Sequence, residues 1–186
     1  WVVPASLDER RFCVVDVSDE RIGDTEYFNT LFKWCDDENN LAALLHFFQS
    51  RNITSNLRQP PITDGLAEQI ELSMGSVGKY WLDCLDAGYI AGGENDNPDG
   101  FDGWVKSKNV YEAYIQFCRD TGERFPESNK RMTVELRKIC EDIDTGRSYF
   151  IGGQARGLKM PSLDYCRADY NIKSGVERFE TEEIPF

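Results

Sequence analysis

Between residues 24 and 48 the apolar positions recur every three or four residues: Tyr27, Phe28, Leu31 and Phe32, then Leu41, Leu44, Leu45 and Phe48. That spacing gathers each set on one side of a helix and predicts two amphipathic helices, over Asp24–Cys35 and Glu38–Phe48. Before them, RFCVVDV (11–17) is a β-branched run bounded by charges, which predicts one buried strand. After them, Pro60 and Pro61 end the helical pattern, because proline lacks an amide hydrogen and forces its predecessor out of the helical region. Thr63 or Asp64 then caps a third helix. Gly75 and Gly78 are its candidate interruptions before SVGKYWLDCLDAGY restores the period.

The run AGGENDNPDGFDG (91–103) has no apolar period and is rich in Gly, Asn and Asp, which predicts a linker. Beyond it Ser107 caps a helix through Asp120, with Val110, Tyr111, Tyr114, Phe117 and Cys118 inward and Gly122 as its stop. A second helix starts near Ser128 and ends near Asp144, with Met132, Leu136, Ile139 and Cys140 inward. Two short runs, Ser148–Ile151 and Gly157–Met160, flank GGQAR, whose glycines can take positive φ; they predict a β-hairpin with a flexible basic tip.

Helix, helix, hairpin is the order of a winged-helix module, so the expected fold is α+β and mostly helical. A helical collar (23–92) and a linker (93–103) precede a winged-helix-like domain (104–175) with a β-hairpin wing, and an acidic tail (176–186) follows. A lone strand has no sheet to join, so residues 1–22 are expected to belong with a domain lying upstream.

Charge sharpens this division. The 186 residues carry 33 acidic and 21 basic side chains, a net charge of -12, which argues against a general polyanion binder. Residues 1–100 hold -11 of this, residues 101–175 carry +2, and the tail carries -3. The two halves therefore suit different partners. No stretch approaches the roughly 18 apolar residues that span a bilayer, and the six cysteines lie apart with no C-x-x-C. Both features point to a cytoplasmic chain with reduced core thiols and no membrane partner.

On the second helix of the basic half, turning Met132 and Leu136 inward leaves Asn129, Lys130, Thr133, Arg137 and Lys138 toward solvent. With Arg147, Arg156 and Lys159 of the hairpin, they are the candidate contacts to DNA phosphates or base edges. The competing reading is an ordinary solvated face, diluted by Glu135, Glu141 and Asp142. Arg10 and Arg11 form a second candidate, a guanidinium reaching a phosphate across a subunit boundary, against the alternative of surface pairing with Asp8 and Glu9.

Other chemistries are set aside. There is no G-x-x-x-x-G-K-[ST] loop for a nucleoside triphosphate. His46, the only histidine, lies on the apolar LLHFF stretch and is expected to be packed or partly buried rather than a general base or metal ligand. With Gly100 at the sixth position of a calcium loop the twelfth ligand falls on Lys106, which defeats it.

Taken together, WVVPASLDERRFCVVDVSDE, RQPPITDGLAEQ, VYEAYIQFCRDTG and KMPSLDYCRADYNI resemble the C-terminal part of phage and prophage primase-helicases. In that family a superfamily 3 helicase domain of the AAA+ type precedes a helical region and a winged-helix end, as in poxvirus-type primase-helicases. The resemblance implies a fragment of an ATP-driven DNA replication helicase that works as a ring. ATP and magnesium would bind the parent protein, with no cofactor in this chain. Arg10 or Arg11 would act in trans as the arginine finger toward the upstream ATPase domain of a neighbouring subunit, and DNA would be the partner of the winged helix. The alternative is a self-contained, non-enzymatic protein-interaction adaptor with an acidic helical half; a DNA-mimicking acidic protein is a third reading.

Overall fold

Asp24 accepts a hydrogen bond from the Tyr27 amide and Asp37 accepts one from the Asn39 amide. Behind these caps the chain winds into α1 (Thr25–Cys35) and α2 (Glu38–Ser50). The computed structural model describes residues 5, 12–54, 61, 63–94 and 96–180. Both helices are amphipathic as their spacing predicts, yet neither buries a single residue.

The expected strand over 11–17 does not form in its described part. Residues 12–17 carry no ladder and instead lie across α3 (Asp64–Ser73). The Val14 carbonyl accepts from the Thr63 hydroxyl, and the Val14 side chain packs on Leu66 and Ile70, while Val15 and Val17 are exposed. A β-branched run becomes a strand only where a neighbour takes up its backbone hydrogen bonds, and no described strand lies beside it. Thr63 also caps α3 by accepting from the Leu66 amide. The break before α4 (Ser76–Ala87) falls at Met74 and Gly75; Gly78 lies inside α4, and Gly88, with φ +66°, closes it.

The remaining elements are β1 (Gly103–Lys106), α5 (Ser107–Asp120), α6 (Asn129–Ile139), β2 (Asp144–Phe150), β3 (Gly153–Met160) and α7 (Leu163–Ser174). The three strands form one antiparallel sheet in the order β1-β3-β2. The hairpin is longer than predicted. Its turn is Ile151–Gly152, so most of GGQAR is paired strand rather than a flexible tip, with Arg156 directly opposite Arg147. Gly152 and Gly153, at φ +99° and +112°, supply the left-handed backbone that lets the chain reverse there.

One buried cluster joins α4, α5, α6 and α7 to the sheet, while Leu66 and Ile70 of α3 belong to a second, smaller one. Trp81 and Leu85 of α4, Val105 of β1, Val110 and Tyr114 of α5, Met132 and Leu136 of α6, and Leu158 and Met160 of β3 share the larger cluster. Phe101, within the stretch read as a linker, is buried in the same cluster and lies 6.2 Å ring to ring from Trp81. On the sheet face away from the helices, Gly146 and Gly157 sit opposite each other under Trp104.

Helix α7 fastens the assembly by finishing two other helices. The Arg167 guanidinium donates twice to the Leu85 carbonyl at the end of α4, at 3.0 and 2.7 Å. Lys173 donates to the Ile139 carbonyl at the end of α6, at 2.7 Å. Cations there satisfy orphan carbonyls and oppose the negative end of the helix dipole. Beyond α7, Arg178 bridges Glu71 of α3 and Asp86 of α4. None of the described helices is long and apolar enough to cross a membrane.

Two outcomes follow from this packing. A Cβ at Gly157 would meet the Val105 carbonyl at 2.9 Å and the Phe150 ring at 2.9 Å, whereas one at Gly78 meets Met74 at an ordinary 3.4 Å. In urea denaturation Gly157→Ala is expected to lose about 1–3 kcal/mol, and Gly78→Ala, in a helix interior, to gain about 0.5–1 kcal/mol. Cys13 and Cys35 are exposed, while Cys84, Cys118, Cys140 and Cys166 are buried and unbridged. Burial pushes the Cys84 thiol up to about 12 and raises Cys118 as well. The native protein at neutral pH should therefore label at Cys13 and Cys35 alone, and at all six thiols after unfolding; rapid native labelling of a third would contradict the packing.

Candidate nucleic-acid interface

Met132 and Leu136 have no solvent contact, so the rotation of α6 about its axis is fixed by the core. Positions 129, 130, 133, 134 and 137 then share the opposite face. They form one wall of a groove of about 920 Å³. The first turn of α5 (Ser107, Lys108, Asn109) and the β2–β3 hairpin (Thr145, Arg147, Arg156) form the others.

The hairpin wall follows from strand alternation. Leu158 and Met160 point into the core, so Arg156, two residues before Leu158, projects from the same sheet face where the hairpin extends beyond the helices. Arg147 lies directly across the ladder from it. Like charges placed opposite each other repel, and no described carboxylate pairs with either arginine.

The groove is lined by five cationic side chains, Lys108, Lys130, Arg137, Arg147 and Arg156, and by no aspartate or glutamate; Lys106 borders it through its backbone, and its side chain, opposite Gly157, turns to the other sheet face. In a chain of net charge -12 this is a pronounced segregation. The carboxylates nearest on α6 are occupied on its other side: Glu135 binds Lys138 at 2.8 Å and Glu127 binds Arg131 at 3.3 Å. Lys106 is itself committed, to Glu94 at 3.2 Å and the Ile151 carbonyl at 2.8 Å. Glu94 also accepts from the Ile151 amide, so these two residues tie the hairpin tip back to the body of the fold. Arg137 donates to the Ile143 carbonyl at 3.0 Å, which aims its guanidinium along the groove. The Ser107 hydroxyl lies 3.4 Å from the Asn129 amide oxygen, joining the starts of α5 and α6.

Of the residues singled out from sequence, the groove gathers Asn129, Lys130, Thr133, Arg137, Arg147 and Arg156. Lys138 and Lys159 are not part of it. Lys138 pairs with Glu135, and Lys159, an odd number of residues from Leu158, stands on the outer sheet face opposite Asp144 and Trp104. Sequence reasoning missed Lys106, Ser107, Lys108 and Asn109, because their place depends on the four-residue strand β1, too short to show an alternation.

Arg10 and Arg11 lie outside the described residues. His46 is exposed rather than packed, since no described residue covers the apolar side of α2. Among the described residues no three His, Cys, Asp or Glu side chains are grouped to hold a metal. Thr133 gives its hydroxyl hydrogen to the Asn129 carbonyl at 2.9 Å.

What the arrangement can do chemically is hold a chain of phosphates. Fixed cations on two walls provide charge, and the first turns of α5 and α6 add unsatisfied amide hydrogens. No protein-family model, no curated protein and no solved structure matches the chain.

Proposed function

We propose that residues 76–160 form a winged-helix module that binds duplex DNA through the cationic groove, with α6 as the reading helix and the β2–β3 hairpin as the wing. The observation that carries this reading is the groove with five cationic side chains and no aspartate or glutamate in its lining, in an otherwise acidic chain. The order α4, β1, α5, α6, β2, β3 with the sheet order β1-β3-β2 supports the module. So does the tether of the wing by Glu94 and Lys106, which holds the hairpin beside the groove without consuming Arg147 or Arg156.

Lys130, Arg147 and Arg156 contact phosphates in this reading and set position rather than sequence. Asn129 and Arg137 lie on the part of α6 that enters the major groove, where Arg recognises guanine and Asn recognises adenine. On the resemblance to primase-helicases, such a module would lie beside an ATP-driven motor and hold fork or origin DNA while the motor works, with Arg10 or Arg11 as the residue lent to a neighbouring subunit. A second reading, a protein-interaction adaptor, is favoured by one separate observation, the uncovered apolar side of α1 and α2; it concerns a different surface and is compatible with the first.

The test is fluorescence anisotropy of the full chain on a labelled duplex across a salt series. Binding should weaken steeply with salt, because bound cations displace counterions. Each of Lys130→Gln, Arg147→Gln and Arg156→Gln should flatten the slope of log affinity against log salt by about one. Lys138→Gln and Lys159→Gln should leave it unchanged. Arg156→Gln also removes a cross-strand repulsion, so its thermal midpoint should rise while DNA binding falls. Equal loss from Lys159→Gln and Arg156→Gln, or no binding at low salt, would contradict the reading.

A further inference from the structure

Among the described residues, ten of the exposed large apolar side chains lie on α1 and α2, and neither helix contributes a residue to the groove. Phe32 is 61% exposed, Leu45 57%, and Phe47 and Phe48 56% each. Helices of 11 and 13 residues are marginal in water unless an apolar face is packed. Among the described residues α1 and α2 pack chiefly on each other, which leaves most of that face open, and helical layers become stable by closing it against further helices.

We propose that this face pairs with the same face of a second copy of the chain, two α1–α2 pairs forming a four-helix bundle that makes the protein a two-fold dimer. Area is the first reason. Ten large apolar side chains, from Tyr27 to Phe48, are each between 37% and 61% exposed. Together they expose on the order of 900 Å² on each copy, taking 150–250 Å² for a large aromatic side chain. A stable interface needs roughly 800 Å² per partner.

Charge is the second reason. Across both helices the only formal charges are Glu26, Lys33 and Glu38. So sparse a set gives no purchase to a strongly acidic or basic partner and lets like meet like with little repulsion. Shape is the third: an isologous interface needs a patch that complements itself, and an apolar stripe on each of two linked helices meets that need.

The measurement is sedimentation velocity on the full chain from about 1 to about 100 μM, at salt of about 50 mM and about 500 mM. The wild type should sediment with the mass of two 21.3 kDa chains at the upper concentrations, and the dimer should hold or tighten as salt rises. That response is opposite in sign to the salt response of the groove. The variant Phe32→Glu, Leu45→Glu, Phe48→Glu, altering side chains already exposed, should weaken the dimer by about a hundredfold or more and sediment as one chain. A readout independent of folding of the variant is hydrogen exchange on the wild type. Amides of 25–50 should lose protection on dilution, while those of α4–α6 and the sheet stay unchanged. A wild type of one-chain mass at every concentration, a mass other than two chains, a dimer that survives the three substitutions, or protection of 25–50 independent of concentration would each overturn the proposal.

Discussion

The burial of Met132 and Leu136 is the contact on which the surface chemistry of this protein rests. With both side chains sealed against α4 and the sheet, α6 has one permitted rotation, and its solvent face is thereby chosen. Lys173 and Ser128 finish its two ends, and Arg137 reaches the Ile143 carbonyl, so the helix is held in register as well as in rotation. Releasing any of these contacts would blur the groove before it unfolded the domain, because a cationic wall works only while its charges converge.

Convergence has an electrostatic cost, visible in the opposed Arg147 and Arg156. The fold tolerates it by fixing the hairpin elsewhere. Glu94 and Lys106 bind the Ile151 backbone from both sides, and Lys106 lies 5.3 Å from the Phe150 ring. The acidic excess is kept apart in the same way. Glu127 and Glu135 are paired on the far flank of α6, and Glu71 and Asp86 converge on Arg178. A chain that is acidic as a whole thus presents one surface of opposite sign, which is what a polyanion would recognise.

Much of this was legible in the sequence, and the failures share a cause. Helical spacing locates the starts of α1, α3 and α6 to within a residue or so, because that signal is local; the end of α6, expected near Asp144, falls at Ile139, because Asp144 already opens β2. Inward Met132 and Leu136 correctly turn out Asn129, Lys130, Thr133 and Arg137. What local pattern cannot supply is which strands find partners. RFCVVDV has strand composition, yet its described residues 12–17 have no described strand beside them, while GWVK has almost no signal and pairs with β3 along its length. That unforeseen pairing brings Ser107 and Lys108 to the groove. Lys159 was misplaced although its parity against Leu158 already put it on the other face; treating GGQAR as a loose tip hid that alternation. The uncovered side of α1 and α2 was invisible for a different reason, since an amphipathic pattern shows that a face is apolar and leaves open what covers it.

The central claim, that the rotation of α6 builds a DNA-binding surface with the hairpin, is tested most directly by amide chemical shifts of isotopically labelled protein during titration with a short duplex. The account requires the largest changes on α6 from Asn129 to Arg137 and around Arg147 and Arg156, with little change at Lys159 or along α1, α2 and α7. Changes centred on those latter elements, or none at all, would contradict it.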